Sequence, residues 1–229
     1  YGLRLNRSNE NRIEKTLQSY DHLAALTKSV VVDYLDLNVN EKSITILPNG
    51  VDLEWFKPNI TKPDIRKDIG WPIDKDIILT TGRNHPKKGY HMIPYIADAL
   101  RSKGLSFKWY VVGLGTDQIN SSLSSLDLNT YVETINEIGV TTESQPELRF
   151  PDRQLVNMYQ AADIYAFPSM LETFGMVQLE AMAAETTVVS TDAPGCKDVV
   201  IHMDNGLQAI SGDKESFTNQ IAILQIGRA

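Results

Sequence analysis

Four loops in this sequence carry side chains suited to chemistry, and each follows an apolar, strand-like run. After Ile77–Thr81 stands Gly82-Arg83-Asn84-His85-Pro86-Lys87-Lys88-Gly89, in which two glycines flank three cations. Such a loop, entering a helix at about His91, suits a diphosphate; the bland alternative is a solvated basic loop. After Trp109–Val112 comes Gly113-Leu114-Gly115, which leaves room for a ligand or serves only as a tight turn. After Ile164–Phe167 comes Pro168-Ser169-Met170-Leu171-Glu172-Thr173-Phe174-Gly175, then a helix containing Glu180. The N–H groups of Phe174, Gly175 and Met176 can face an anion at that helix start. A carboxylate accepts both hydrogens of a vicinal diol, so Glu172 and Glu180 suit a ribose or hexose. In the other reading Glu172 caps the helix and Glu180, set among Leu179, Ala181 and Met182, meets a buried cation. After Thr187–Ser190 a loop through Asp192 and Asp198 leads to an expected helix start, where either aspartate suits a cap.

Other chemistries fit less well. The four histidines lack metal-helix spacing, and the single cysteine, Cys196, allows neither a zinc cluster nor an intrachain disulfide. Neither a Walker A loop nor a Gly-x-Ser-x-Gly elbow occurs. Asp74-Lys75-Asp76 spells D-x-D, yet it precedes a strand, at the wrong end of a parallel sheet, and reads as a turn. With 22 basic and 29 acidic residues the net charge is −7, which argues against a nucleic-acid partner. No apolar run is long enough to span a membrane, and cysteine usage favours a reducing, cytoplasmic setting. The chain starts at Tyr1 and reads as a fragment of a longer protein.

The elements that must position these loops alternate. Strand-like runs stand at Ser29–Val32, Ile44–Leu47, Ile77–Thr80, Trp109–Val112, Ile164–Phe167 and Thr187–Ser190. Between them Met92, Ile93, Ile96, Ala97 and Leu100 form a helical stripe, as do Leu155, Met158, Tyr159 and Ala162. A third, Val177, Leu179, Ala181, Met182 and Ala183, is apolar all round and is expected to be the most buried. The pattern predicts an α/β fold, a parallel sheet covered by helices on both faces. Asn49-Gly50, Lys57-Pro58, Lys62-Pro63 and Trp71-Pro72 break regular structure and mark a boundary over 49–75. The first 48 residues read as the tail of a preceding domain.

Taken together, the loops resemble one family. Leu47-Pro48-Asn49-Gly50-Val51-Asp52 with Phe56-Lys57-Pro58 is similar to the interdomain segment of retaining GT-B glycosyltransferases of the group 1, GT4-type family. Gly82-Arg83 with Lys87-Lys88-Gly89 resembles that family's phosphate loop, and Val112-Gly113-Leu114-Gly115 its glycine turn. Tyr159-Gln160-Ala161-Ala162-Asp163 and Phe167-Pro168-Ser169 precede an E-x7-E signature running from Glu172 to Glu180. Order and spacing agree over about 44–212.

The resemblance implies a division into 1–48, the tail of an acceptor-side domain, 49–75, a linker, and 76–229, a Rossmann-like donor domain. It implies that Arg83 and Lys88 hold a diphosphate with Gly82 and Gly113 beside it. It gives Glu180 the ribose, Glu172 the sugar, and the backbone at Phe174, Gly175 and Met176 sugar or phosphate. Asn49 and Gly50 then lie at the cleft. The implied activity is metal-independent transfer from a nucleotide-diphosphate sugar, UDP- or GDP-linked, with retained anomeric configuration and no further cofactor. The implied partners are the donor, a carbohydrate, lipid-linked or protein acceptor, and an absent N-terminal domain through which peripheral membrane contact is open. A fragment of this extent is expected to be inactive alone. The alternatives are a non-catalytic or split GT-B module, and another GT-B enzyme such as an epimerase or phosphorylase. Two departures stand out: Glu185-Thr186-Thr187-Val188-Val189 replaces Gly-x-Pro-Val-Val, and Leu148-Arg149-Phe150-Pro151 replaces a glycine-bearing strand.

Overall fold

A computed structural model describes residues 7–136, 138 and 151–226; the departure at 148–150 and the end at 227–229 lie outside the described residues. The first elements are α1 (Arg7–Gln18), β1 (Leu23–Ala25), α2 (Lys28–Asp36), β2 (Ile44–Ile46), α3 (Leu53–Phe56) and α4 (Lys62–Asp68). Then follow β3 (Asp76–Thr81), α5 (Ile93–Ser102), β4 (Phe107–Val112), α6 (Asn120–Ser125) and β5 (Val132–Ile135). The chain continues through α7 (Arg153–Ala161), β6 (Ile164–Phe167), α8 (Met176–Ala183), β7 (Thr187–Thr191), β8 (Leu207–Ala209) and α9 (Lys214–Ile226).

Six strands form one parallel sheet in the order β5-β4-β3-β6-β7-β8. The chain winds outward from β3 to β5, returns, and winds the other way from β6 to β8. The order therefore reverses between β3 and β6, and a crevice opens there beyond the carboxyl ends of the strands. Residues of one strand alternate between two cores. Ile78, Trp109 and Val111 join Ile93, Ile96, Phe217 and Ile221 on one face. Ile77, Leu79, Tyr110 and Val112 join Val156, Tyr159, Tyr165 and Ala181 on the other. This is the expected Rossmann-like sheet with helices on both faces. β1 and β2 form a separate two-stranded parallel ladder, Leu23 beside Ile44.

Four local expectations are corrected. Ser29–Val32 is not a strand but lies in α2: Thr27 Oγ1 accepts from Val30 N at 3.2 Å, and this cap outweighs the weak helix preference of three valines. The actual strand, β1, has three residues, too few to show alternation. Pro63 does not break structure; it sits in the first turn of α4, where its missing N–H costs nothing. The loop after β7 closes in turns around Ala193 and Cys196 rather than opening a helix. The all-apolar α8 is not the most buried helix: only Gln178 and Ala181 are buried, because a single face meets β6 and β7.

Candidate functional site

The carboxyl ends of β3 and β4 meet as two glycines. Gly82 has φ +124° and Gly113 φ +137°, and a Cβ on Gly113 would stand 2.2 Å from the Gly82 carbonyl oxygen. Only glycine at 113 lets the two strand ends approach so closely. Beyond them the chain runs through a 3-10 turn, Pro86–Lys88, to Gly89 at φ +71°, where a Cβ would stand 2.1 Å from the Pro168 carbonyl oxygen. The basic loop is thus laid against the loop after β6. Met170 N donates to Lys87 O at 2.7 Å and Ser169 Oγ to the same oxygen at 3.2 Å.

This contact joins residues that the sequence keeps apart. The Lys88 ammonium forms an ion pair with Glu172 Oε1, which also accepts from Ser169 Oγ at 3.1 Å. Lys88 Nζ lies 5.1 Å above the Phe167 ring. Glu172 N donates to Pro194 O at 3.1 Å, and Gly195 closes on the Glu172 carbonyl, which a Cβ there would meet at 2.1 Å. Glu172 does not cap α8; the N-cap is Gly175 at φ +76°, without a side-chain cap. Buried Gln178 holds the turn instead, donating to the carbonyls of Phe174 and Gly175 while accepting from Ser190 Oγ at 2.6 Å. The N–H groups of Phe174, Gly175 and Met176 donate to none of the described residues.

Glu180 lies one turn further along α8, half-buried. Its partner is not a cation but Tyr159, whose hydroxyl donates to Oε2 at 2.8 Å. Burial raises the Glu180 carboxyl above its ordinary range, and the Tyr159 hydrogen bond opposes the rise. Arg83 is exposed and makes no side-chain hydrogen bond or ion pair with a described residue. Asn49 lines a cavity of about 470 Å³ with Thr27, Phe174, Leu179 and Asp198, where the first 48 residues meet α8. Gly50 is exposed and a Cβ there would meet nothing, so no close approach demands glycine. His22 bonds Thr45 Oγ1 at 2.7 Å, and Asp192 accepts from Ser211 N at 2.8 Å. Asp198 is a cap, but of α2: it accepts from Ser29 N at 3.3 Å and from Ser29 Oγ at 2.5 Å.

Lys88, Glu172, Gly82, Gly113 and the α8 start therefore share the crevice mouth. Thr81, Tyr90 and Ser169 went unread in the sequence. Thr81 Oγ1 lies 2.8 Å from the Tyr159 hydroxyl, and the Tyr90 hydroxyl donates to Gly82 O at 3.0 Å. Their only signal is a hydroxyl at the end of a buried strand or stripe. Chemically, the crevice offers cations and free N–H groups to an anion on one side and carboxylates to hydroxyls on the other.

Residues 61–225 match the family described as Glycosyl transferases group 1. Two curated relatives are named D-inositol 3-phosphate glycosyltransferase. That of Kineococcus radiotolerans is 29% identical over 203 residues, 87% of this chain and 46% of that protein. That of Saccharomonospora viridis is 32% identical over 181 residues, 78% and 41%. The chain spans about half the length of the curated relatives it matches. Among solved structures, Anabaena Alr3699/HepE in complex with UDP superposes with a TM-score of 0.82 at 18% identity, over 97% of this chain and 59% of that one. A glycosyltransferase from Rickettsia africae gives 0.78 at 20% identity, over 93% and 56%. At these identities the likeness establishes the fold. With a family match over most of its length and the corresponding GT-B type of α/β sheet, the chain belongs to the group 1 glycosyltransferases.

Proposed function

We propose that this chain is the donor-binding half of a glycosyltransferase. It takes a nucleotide-diphosphate sugar and presents it for transfer with retention of anomeric configuration and without a bound metal. The observation that carries the reading is the juxtaposition of Lys88, Glu172 and the α8 N-terminus at the switch of the sheet, with Glu180 one turn along the same helix.

Departure of a nucleoside diphosphate builds negative charge on the leaving oxygens. Arg83, Lys88 and the N–H groups of Phe174, Gly175 and Met176 are the chain's means of stabilising it. Fixed cations and helix-end dipoles supply this stabilisation without reorganising in the reaction. Glu180 takes the ribose hydroxyls and Glu172 a hydroxyl of the transferred sugar. The Lys88–Glu172 pair holds the phosphate-binding and sugar-binding groups in one register, since neither can move without the other. The presence of UDP in the Anabaena neighbour supports a uridine donor, with GDP the other choice. The acceptor is a carbohydrate, a lipid-linked glycan or a protein. A second reading, a module that binds the donor and needs another domain for turnover, is favoured by the half-length match. Among the described residues no helix is long and apolar enough to cross a membrane.

Arg83→Ala tests the phosphate assignment. It is expected to weaken UDP by about 1.5–3 kcal/mol, the range for a hydrogen bond to a charged group, while leaving uridine unchanged. Equal losses for both in calorimetric titration would refute the role.

A further inference from the structure

The Glu180 carboxylate ends a line of buried hydroxyls. Tyr165 Oη lies 2.9 Å from Thr81 Oγ1, Thr81 Oγ1 lies 2.8 Å from Tyr159 Oη, and Tyr159 Oη donates to Glu180 Oε2 at 2.8 Å. An ionised carboxylate only accepts, so the Tyr159 proton is directed there. Tyr159 then accepts from Thr81, and Thr81 from Tyr165, because each hydroxyl has one hydrogen. All bonds point one way, and each polarises the next. The three hydroxyl residues come from α7, β3 and β6 and are buried. Burial drives both phenols well above their ordinary range, so they stay protonated donors wherever a carboxylate titrates. Thr81 directly precedes Gly82, whose carbonyl is held by Tyr90, so the line also reaches the start of the basic loop.

We propose that Tyr159 is a positioning residue for the donor nucleotide: by holding Glu180 Oε2 it presents Oε1 to the vicinal hydroxyls of a ribose. The proposal rests on the ribose reading of Glu180. The titratable groups that face Glu180 are Tyr159 from α7 and Tyr165 from β6. The other elements touching α8, α3 and β7, bring no ion pair or hydrogen bond to Glu180 among the described residues. Ribose binding needs the carboxylate ionised and is lost as pH falls through its pKa. Tyr159 lowers that pKa against burial. Removing its hydroxyl therefore moves the loss of binding to higher pH.

The test titrates the full chain with UDP, GDP and ADP, takes the tightest, and compares it with its 2′,3′-dideoxy analogue from pH 4 to pH 8. Tyr159→Phe keeps the ring that packs edge-on against Phe56 at 6.1 Å. It is expected to weaken the ribonucleotide roughly tenfold, leave the dideoxy analogue unchanged, and raise the pH midpoint by about one unit. Thr81→Val, which cuts the line one step earlier, shifts both readouts the same way by less, and it carries the test should Tyr159→Phe fail to fold. Glu180→Gln is expected to abolish the preference for ribose. Should Glu180→Gln do so while Tyr159→Phe and Thr81→Val leave affinity ratio and midpoint at wild-type values, Tyr159 has no positioning role. Should Glu180→Gln retain the preference, the ribose reading itself is wrong. Failure of all three diphosphates to bind overturns both.

Discussion

A carboxylate inside an apolar helix is expensive unless something receives it, and Glu180 and Glu172 are received differently. Glu180 meets a phenol, whereas Glu172 meets the ammonium of Lys88 and the hydroxyl of Ser169. The difference separates their roles. Glu172→Gln is expected not to lower affinity for UDP, yet to weaken the sugar nucleotide by about 1.5–3 kcal/mol, since only the sugar needs that carboxylate. Competition titrations with UDP and UDP-glucose check it; parallel losses would remove Glu172 from the sugar. Both glutamates stand out in the sequence because E-x7-E is a spacing in one loop and helix. Their partners do not. Lys88 is 84 residues before Glu172 and Tyr159 is 21 before Glu180, so the expected helix cap and buried cation were reasonable local guesses that only the folded sheet could overrule.

Elements place those residues through a few contacts that tolerate little change. Gly113→Ala puts a Cβ at 2.2 Å from a backbone oxygen in a conformation that L residues rarely adopt. It is expected to cost about 3 kcal/mol or more and to lower the midpoint of thermal unfolding by several degrees. A second anchor is Asp163, just before β6. It accepts from Ile77 N at 2.8 Å, pairs with the buried Arg66 guanidinium of α4, and has Lys62 at 3.5 Å. Burial alone raises its carboxyl, but the Ile77 N–H, Arg66 and Lys62 outweigh it and hold the pKa below 3.8. A carboxyl lowered by folding stabilises above its ordinary value and loses that contribution as pH falls below it. Asp163→Asn is therefore expected to cost about 3–5 kcal/mol at neutral pH, by stranding Arg66, and to flatten the acid limb of the stability curve. Denaturant unfolding from pH 2 to pH 7 reads both. The motif Tyr159–Asp163 was legible as a pattern, and its alternation of buried and polar residues fixed α7 and β6. That its aspartate ties α4 to the sheet was not, because Arg66 lies 97 residues away.

At the scale of the molecule, the parallel sheet was readable from strand–helix alternation, whereas β1, β5 and β8, of three or four residues, carry too little pattern. The first 48 residues touch the larger sheet domain through Ser29 and Asp198, and through Thr27 Oγ1, 3.4 Å from Thr173 O. Asp198 also accepts from Gly195 N at 3.1 Å, in the loop that supports Glu172. A carboxylate from one part thus caps a helix of the other. Ser29→Ala and Asp198→Ala are expected to be non-additive, with a coupling of about 1–2 kcal/mol in a double-mutant cycle on unfolding. Additive effects would mean that the two parts are not joined there.

The central claim is that the β3–β6 crevice binds a nucleotide diphosphate through its own cations and Glu180. Calorimetric titration of the chain with UDP, GDP and ADP, each with magnesium and with chelator, tests it most directly. Binding of one diphosphate at the same affinity in both conditions, and its loss in Glu180→Ala, is the predicted result. Binding that requires magnesium, or that survives Glu180→Ala unchanged, contradicts it.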